Sequence, residues 1–228
     1  WSRWLGVDNS RWRPSDLSKK TNLKIMSLEE LRVIIIVYVC ALAPLIILYK
    51  HRKNIPNWSL VIYLGALLTC ALGWELWFTY GWVDGDPVNI RRSEPLNQWI
   101  PIHINWLLNS MADAGTISLG GLWLMWKLSN RNDQIFMKWN WRAFGILCLW
   151  CITQNLCVEL FLYHDQLSEG KLISWAPLAP TGQYFNPLLF EFNDRSVMLQ
   201  TQIPWLILPA VLYKAVITLA NKLSNKTI

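Results

Sequence analysis

Five long apolar stretches alternate with polar segments along this 228-residue chain. A helix needs roughly 20 mainly apolar residues to cross about 30 Å of hydrocarbon. The stretches close to this length are residues 33–49, 58–82, 104–128, 141–163 and 197–219. The pattern therefore predicts an all-α, polytopic membrane protein, with one bundle of five transmembrane helices occupying residues 33–220.

Two polar segments flank this predicted membrane domain. Residues 1–32 are basic and contain Trp, and residues 221–228 form a short polar tail. Because the chain begins with Trp1, residues 1–25 are interpreted either as a segment lying on the membrane surface or as a leader outside the mature protein. The sequence Ser27-Leu-Glu-Glu30 has the pattern of a capping box and predicts the start of the first helix.

The formal charge of +6 is explained by membrane topology rather than by nucleic-acid binding. Ten basic residues flank one end of the predicted spans: Lys50, Arg52, Lys53, Lys127, Arg131, Lys138, Arg142, Lys214, Lys222 and Lys226. Four lie in the loops at the other end: Arg91, Arg92, Lys171 and Arg195. The positive-inside rule then places the C-terminus in the cytoplasm and the N-terminus outside or in the lumen, although residues 1–32 carry seven further Lys or Arg. The membrane would be the endoplasmic reticulum in a eukaryote or the inner membrane in a bacterium.

Three carboxylates, Glu75, Asp113 and Glu159, lie within the predicted spans. An ionisable side chain at membrane depth is costly, and it usually faces a pocket, a partner or a pathway. Burial favours the protonated form of a carboxyl, and two neighbouring carboxyls do not ionise together. The pair Glu75 and Asp113 is therefore predicted to supply an acid and a base, whereas the alternative is that these residues only hydrogen-bond helix to helix.

Polar residues at helical spacing form stripes on three of the predicted helices. The third span carries Asn105, Asn109, Asp113, Thr116 and Gly120 on one face, and the fourth carries Cys148, Cys151, Asn155 and Glu159. The fifth presents Gln202, Trp205 and Pro209. Judged by depth, these groups are expected to converge in the external half of the bundle.

The pattern around Glu75 recurs around Glu159, as Leu72-Gly-Trp-Glu75-Leu76 and Leu156-Cys-Val-Glu159-Leu160. Spans two and three, with the loop at 83–103, thus correspond to spans four and five, with the loop at 164–196. Since spans two and four would run in the same direction, this is a parallel repeat, unlike the inverted repeats of many transporters.

No cofactor and no metal are predicted. The three histidines, His51, His103 and His164, do not share ligand spacing on a helix. Cys148 and Cys151 resemble a redox pair, but they lie inside a helix rather than at its start, which favours buried small apolar side chains.

The order of features along spans two to five resembles the EXPERA family, the group of the emopamil-binding sterol isomerases. The similar elements are Glu75-Leu-Trp-Phe78, Asp113 followed by Leu119-Gly-Gly-Leu-Trp and Trp126, Glu159-Leu-Phe, and Gln202-Ile-Pro-Trp205-Leu-Ile-Leu-Pro209. The chain departs from the family at Ala71, where the isomerase has His, at Asp113, where it has Glu, and at Gln202, where it has Asn.

The resemblance implies a sterol-like or isoprenoid lipid that enters from the bilayer and is isomerised by carboxyl acid/base chemistry. Glu75 and Asp113 would be the acid/base pair, and Asn109 and Gln202 would orient them. The other residues expected at the ligand are Trp74, Trp77, Thr116, Asn155, Glu159 and Trp205.

Two alternatives remain open at the level of sequence. The first is a non-catalytic lipid-binding or trafficking protein of the same fold, which Ala71 favours. The second is a structural subunit of a membrane complex. The expected partners are thus a membrane lipid or sterol-like ligand, without nucleic acid, and either a homodimer or a larger membrane assembly.

Overall fold

The computed structural model describes residues 26–81, 87–162, 187–192 and 195–224, and the chain is mainly helical there. Residues 1–25 of the predicted N-terminal segment 1–32, residues 83–86 of the predicted loop 83–103, most of the predicted loop 164–196 and residues 225–228 of the tail lie outside these ranges. The long segments are α1 Leu28–Lys50, α2 Trp58–Leu72, α3 Trp74–Tyr80, α6 Ile102–Ala112, α7 Gly120–Leu128, α8 Trp141–Cys157 and α9 Leu199–Ser224. Two short helices, α4 Val88–Arg91 and α5 Glu94–Trp99, lie between α3 and α6.

The start of α1 confirms the predicted capping box. The Glu30 backbone N–H donates to Ser27 Oγ at 3.2 Å, and the Ser27 N–H donates to a Glu30 carboxylate oxygen at 2.7 Å. These two bonds pair backbone donors that a helix start leaves without intrahelical partners. The helix thereby begins five residues before the apolar stretch predicted at 33–49.

The second predicted helix, residues 58–82, is broken rather than continuous. It ends at Leu72, resumes at Trp74, and the axes of α2 and α3 differ by 40°. Gly73 lies at the break, where an added Cβ would be 2.5 Å from the Thr69 carbonyl oxygen. Only a residue without a side chain fits there, and the break redirects α3 together with Glu75.

The third and fourth segments contain π-helical turns. Asp113–Leu119, named π1, joins α6 to α7, and Val158–Leu162, named π2, follows α8. Such turns widen the helix by one residue and change which side chains share a face. Neither was predicted, because a helical hydrophobic pattern does not distinguish the two hydrogen-bond registers.

The prediction of a purely α-helical chain is wrong at one point, just before α9. Strand β1 Leu188–Phe192 pairs antiparallel with β2 Arg195–Met198. The fifth helix therefore begins at Leu199, two residues after the predicted position 197. Leu188-Leu-Phe-Glu-Phe192 is rich in aromatic and apolar residues, which suits a short strand.

Within the described residues, three helices are long and apolar enough to cross a membrane: Leu28–Lys50, Trp141–Leu162 and Thr201–Leu223. The bent pair α2 and α3 makes a fourth if it counts as one span. The third segment, from α6 through π1 to α7, is not among them, since Asn105, Asn109 and Asp113 interrupt its apolar character. Large apolar side chains cover the outward helix faces, as Ile46, Leu68 and Leu149 show, each at least 60% exposed. The molecule is thus compatible with a membrane protein, whereas a bundle of five spans is not established.

Four of the long segments contact one another in a closed circuit. Helix α2 packs on π1, which continues directly into α7. Helix α7 packs on α8, α8 packs on α9, and α9 packs in turn on α2. Helix α1 lies outside this circuit against α6 and π1. One apolar core fills the space around α7, α8 and α9, with Met125, Leu147 and Tyr213 fully buried, and a second joins α1, α5 and α6.

Candidate functional site

The three carboxyls predicted within spans lie at irregular points of their helices. Glu75 follows the break at Gly73, Asp113 is the first residue of π1, and Glu159 is the second residue of π2. Breaks and π turns inside helices occur frequently at functional sites. The sequence places these carboxyls within helices, and the structure adds that each one lies where the regular backbone is interrupted.

Glu75 belongs to a buried polar chain that joins α3 to α6. The Thr79 hydroxyl donates to Glu75 Oε2 at 3.3 Å, and Asn105 Nδ2 donates to Thr79 Oγ1 at 3.3 Å. Arg92 Nη1 in turn donates to Asn105 Oδ1 at 2.8 Å. Glu75, Thr79, Asn105 and Arg92 are each no more than 5% exposed, so the chain runs through protein and not along a surface.

Arg92 is a buried member of this polar chain that sequence reasoning missed. It was counted among the basic residues of an external loop, yet its guanidinium is buried against α5 and α6. Nε donates to Asn97 Oδ1 at 2.8 Å, and Nη2 donates to the Ile100 carbonyl oxygen. A planar guanidinium suits this role, because its donors diverge in a fixed fork. The only sequence signal was an Arg next to a second Arg, which does not separate buried from exposed positions.

Asp113 has a different environment, beside the indole ring of Trp74. Trp74 Nε1 donates to Asp113 Oδ2 at 2.9 Å, and the ring of Trp74 meets that of Trp205 edge to face, with centroids 5.5 Å apart. Asp113 is half-buried, whereas Trp205 is buried. Helices α3 and α9 thus bring two predicted ligand-binding tryptophans to a predicted catalytic carboxyl.

Glu159 and Gln202 lie together, as their positions near the same end of spans four and five led us to expect. Gln202 Nε2 donates to Glu159 Oε2 at 2.7 Å, and Asn155 Nδ2 donates to Gln202 Oε1 at 2.8 Å. All three side chains are buried. The other carboxylate oxygen of Glu159, Oε1, is enclosed and has no hydrogen-bond partner among the described residues.

Three predicted site residues remain, and the structure describes the side chains of two of them. Asn109 is half-buried one turn before Asp113. The Thr116 hydroxyl donates to the Cys40 carbonyl oxygen at 2.7 Å, so it ties π1 to α1. The side chain of Trp77 lies outside what the structure describes. Ala71, at the position where the EXPERA isomerase has His, is buried, and its carbonyl oxygen accepts a bond from Trp106 Nε1 at 2.8 Å.

The carboxyls therefore form three local clusters, and their hydrogen bonds lead in different directions. Those of Glu75 lead towards Arg92, those of Asp113 towards Trp74, and those of Glu159 towards Asn155. A role for Glu75 and Asp113 as a concerted acid/base pair stays a prediction.

Two further features concern ligands. In the part of the chain that the structure describes, no three His, Cys, Asp or Glu side chains are grouped so that they could hold a metal ion. A shallow, open concavity of about 630 Å³ lies on α9 along Ala210, Lys214 and Thr218, and the carboxyls do not line it.

No protein-family model matches this chain, and neither a curated protein nor a solved structure matches it. The resemblance to the EXPERA family therefore rests on the residue patterns alone and enters below only as a proposal.

Proposed function

We propose that this chain is a multi-pass membrane protein that binds a sterol-like or isoprenoid lipid against Asp113, Trp74 and Trp205. The observation that carries the proposal is the Trp74–Asp113 hydrogen bond with Trp205 edge-on behind it. A carboxyl bonded to one indole, with a second indole packed against the first, offers a polar point next to flat apolar surfaces, which suit a lipid with a rigid or unsaturated body.

Five spans are the arrangement we propose, with the C-terminus in the cytoplasm. The third segment is polar, but α1, α2 and α8 pack against it and limit its contact with lipid. Polar residues within spans usually face the interior of a bundle, which is consistent with the buried Asn105. The excess of basic residues at the α1 end, the α7–α8 connection and the end of α9 supports the orientation.

Double-bond isomerisation is the second candidate, and the same cluster favours it. The Asp113 carboxyl would give its proton to one alkene carbon, forming a C–H bond from the π electron pair and leaving a cation on the other carbon. The faces of Trp74 and Trp205 would stabilise this cation. A second group would then remove a proton from the adjacent carbon, and the electron pair of that C–H bond would form the new alkene. We assign this base to Glu75, which adjoins Trp74 in the chain.

The binding proposal is tested by purifying the protein in a mild detergent and identifying bound lipid by mass spectrometry. A sterol or isoprenoid is expected in wild type, and its occupancy should fall on the order of tenfold in Asp113→Asn. Asp133→Asn is the matched control, since Asp133 also accepts a hydrogen bond from an indole, Trp126 Nε1, but is exposed. Equal lipid occupancy in the two variants, or no sterol or isoprenoid in wild type, would overturn the proposal.

The catalytic candidate has a separate test. A Δ8-sterol incubated with the protein in D2O should gain deuterium at the former alkene carbon that Asp113 protonates, which is saturated in the isomerised product, and the double variant Asp113→Asn, Glu75→Gln should abolish this incorporation. No deuterium uptake in wild type would remove isomerisation and leave lipid binding untouched, and uptake at the wild-type rate in the double variant would remove Asp113 and Glu75 as the acid and the base.

A further inference from the structure

The unpartnered carboxylate oxygen of Glu159 is the starting observation. Oε1 is enclosed by protein and has no hydrogen-bond partner among the described residues, while Oε2 of the same group is bonded to Gln202. An unsatisfied buried polar atom is costly, so it usually marks a site where a further group binds.

No neighbouring side chain in the cluster has a donor left for this oxygen. Both N–H groups of the Gln202 amide are engaged, one with Glu159 Oε2 and one with Thr201 Oγ1. Both N–H groups of Asn155 are engaged with the Gln202 side chain and the Thr201 carbonyl oxygen. The Thr201 hydroxyl donates to the Met198 carbonyl oxygen. Since a primary amide has two donors and a hydroxyl has one, the partner of Oε1 must come from outside this cluster.

A hydroxyl group fits this oxygen in either protonation state of the carboxyl. If Glu159 is ionised, a hydroxyl donates to Oε1. If Glu159 is protonated, Oε2 accepts from Gln202 while Oε1 carries the proton, and a hydroxyl then accepts it. A neutral hydroxyl also carries a smaller desolvation penalty at membrane depth than a charged group.

The cluster lies next to the aromatic site on the same helix. Trp205 follows Gln202 by three residues, about 4.5 Å along the axis of α9. Trp205 in turn contacts Trp74, which is bonded to Asp113. An elongated ligand with a polar group at Glu159 would therefore meet the indoles and then the carboxyl of Asp113.

We infer that Glu159, held by Gln202, is the subsite that receives the hydroxyl end of a lipid alcohol whose apolar body lies towards Trp205 and Asp113. The inference rests on the proposed lipid-binding function and assigns the polar end of that ligand. Strand β2 packs against both π2 and α9, the two elements that carry Glu159 and Gln202.

The test compares matched ligand pairs on the full chain in nanodiscs. Cholesterol is compared with cholest-5-ene, which lacks only the hydroxyl, and geranylgeraniol with the corresponding hydrocarbon. In wild type the alcohol of at least one pair should bind on the order of tenfold more tightly, as expected for one buried hydrogen bond. In Glu159→Met this preference should disappear, whereas Glu191→Gln, at an exposed glutamate of β1, should retain it.

The outcomes separate this inference from the proposed function. If alcohol and hydrocarbon bind equally well, Oε1 is paired by water and the inference is wrong, while lipid binding stands. If no member of either pair binds saturably, the proposed function fails and the inference fails with it. A preference that persists in Glu159→Met also overturns the inference.

A second measurement needs no variant and covers the case in which Glu159→Met does not fold. A cholesterol analogue with a photoreactive diazirine near the hydroxyl should label peptides that contain Glu159 or Gln202 in wild type. An analogue with the diazirine at the far end of the side chain should not label them. If only the second analogue labels these peptides, the ligand is bound in the opposite orientation and the inference is wrong.

Discussion

Arg92 shows at the residue scale how a single buried side chain can connect several helices. Its guanidinium donates hydrogen bonds to Asn97, Asn105 and the Ile100 carbonyl oxygen. From Asn105 the hydrogen-bonded chain continues through Thr79 to Glu75. A buried cation and a buried carboxyl at the two ends of one polar chain offset part of the penalty of removing each from water. Arg92 is therefore a positioning residue for α5, α6 and the carboxyl of Glu75.

Replacing Arg92 by Met should lower the stability of the protein by about 1–3 kcal/mol or more, because Asn105 and Ile100 lose buried hydrogen bonds. The measurement is thermal unfolding in detergent. Arg92→Lys should recover only part of the loss, since an ammonium does not reproduce the guanidinium fork.

Arg142→Met is the control for this substitution, because Arg142 is exposed at the start of α8. It should change stability by less than about 0.5 kcal/mol. Equal effects at the two arginines would show that the buried polar chain does not stabilise the fold.

The contacts between elements depend on small residues and on polar pairs. Gly115 in π1 lies against α1, where an added Cβ would be only 2.5 Å from Pro44 Cβ. Gln202 and Asn155 connect α9 to α8 by the 2.8 Å hydrogen bond. These features account for two of the helix contacts in the structure, α1 with π1 and α8 with α9.

Gly115→Ala should destabilise the protein by about 1–3 kcal/mol, since the new methyl group forces α1 away from π1. Gly65→Ala is the matched control, as an added Cβ there has nothing within 4 Å. It should raise stability slightly because Ala is the better helix former. Thermal unfolding of the two variants compares them directly, and a loss at Gly65 as large as that at Gly115 would contradict the close contact.

The Asn155–Gln202 pair should show a coupling energy of about 1 kcal/mol in a double-mutant cycle of Asn155→Leu and Gln202→Met. Unfolding in mixed micelles measures each corner of the cycle. A second cycle that pairs Asn155→Leu with Gln134→Met should show no coupling, because Gln134 is exposed in the α7–α8 connection. Coupling of the same size in both cycles would contradict a direct bond.

At the scale of the whole molecule, α2, π1, α7, α8 and α9 pack on one another, while large apolar side chains on the outward helix faces are exposed. This distribution agrees with a bilayer as the surrounding solvent, since the third segment is polar but is covered by its neighbours. Its polarity also explains why length and composition alone single out only three spans within the described residues.

The proposed orientation predicts which surface positions react with a membrane-impermeant maleimide. Lys53→Cys and Arg142→Cys, both exposed, should react only from the cytoplasmic side. Gln98→Cys, exposed in α5 at the other end, should react only from the outside. Labelling of right-side-out and inverted vesicles measures this. If Gln98 and Lys53 react from the same side, the five-span topology is wrong.

The sequence by itself determined most of the helical segments and the capping box at Ser27. Apolar run length and local hydrogen-bonding patterns require no knowledge of distant contacts. Tertiary structure alone decided the buried position of Arg92, the π turns at Asp113 and Glu159, and the Trp74–Asp113 bond. These depend on how neighbouring helices pack: contact with adjacent segments selects the backbone register, and a charged side chain becomes buried only when segments distant in sequence supply its partners.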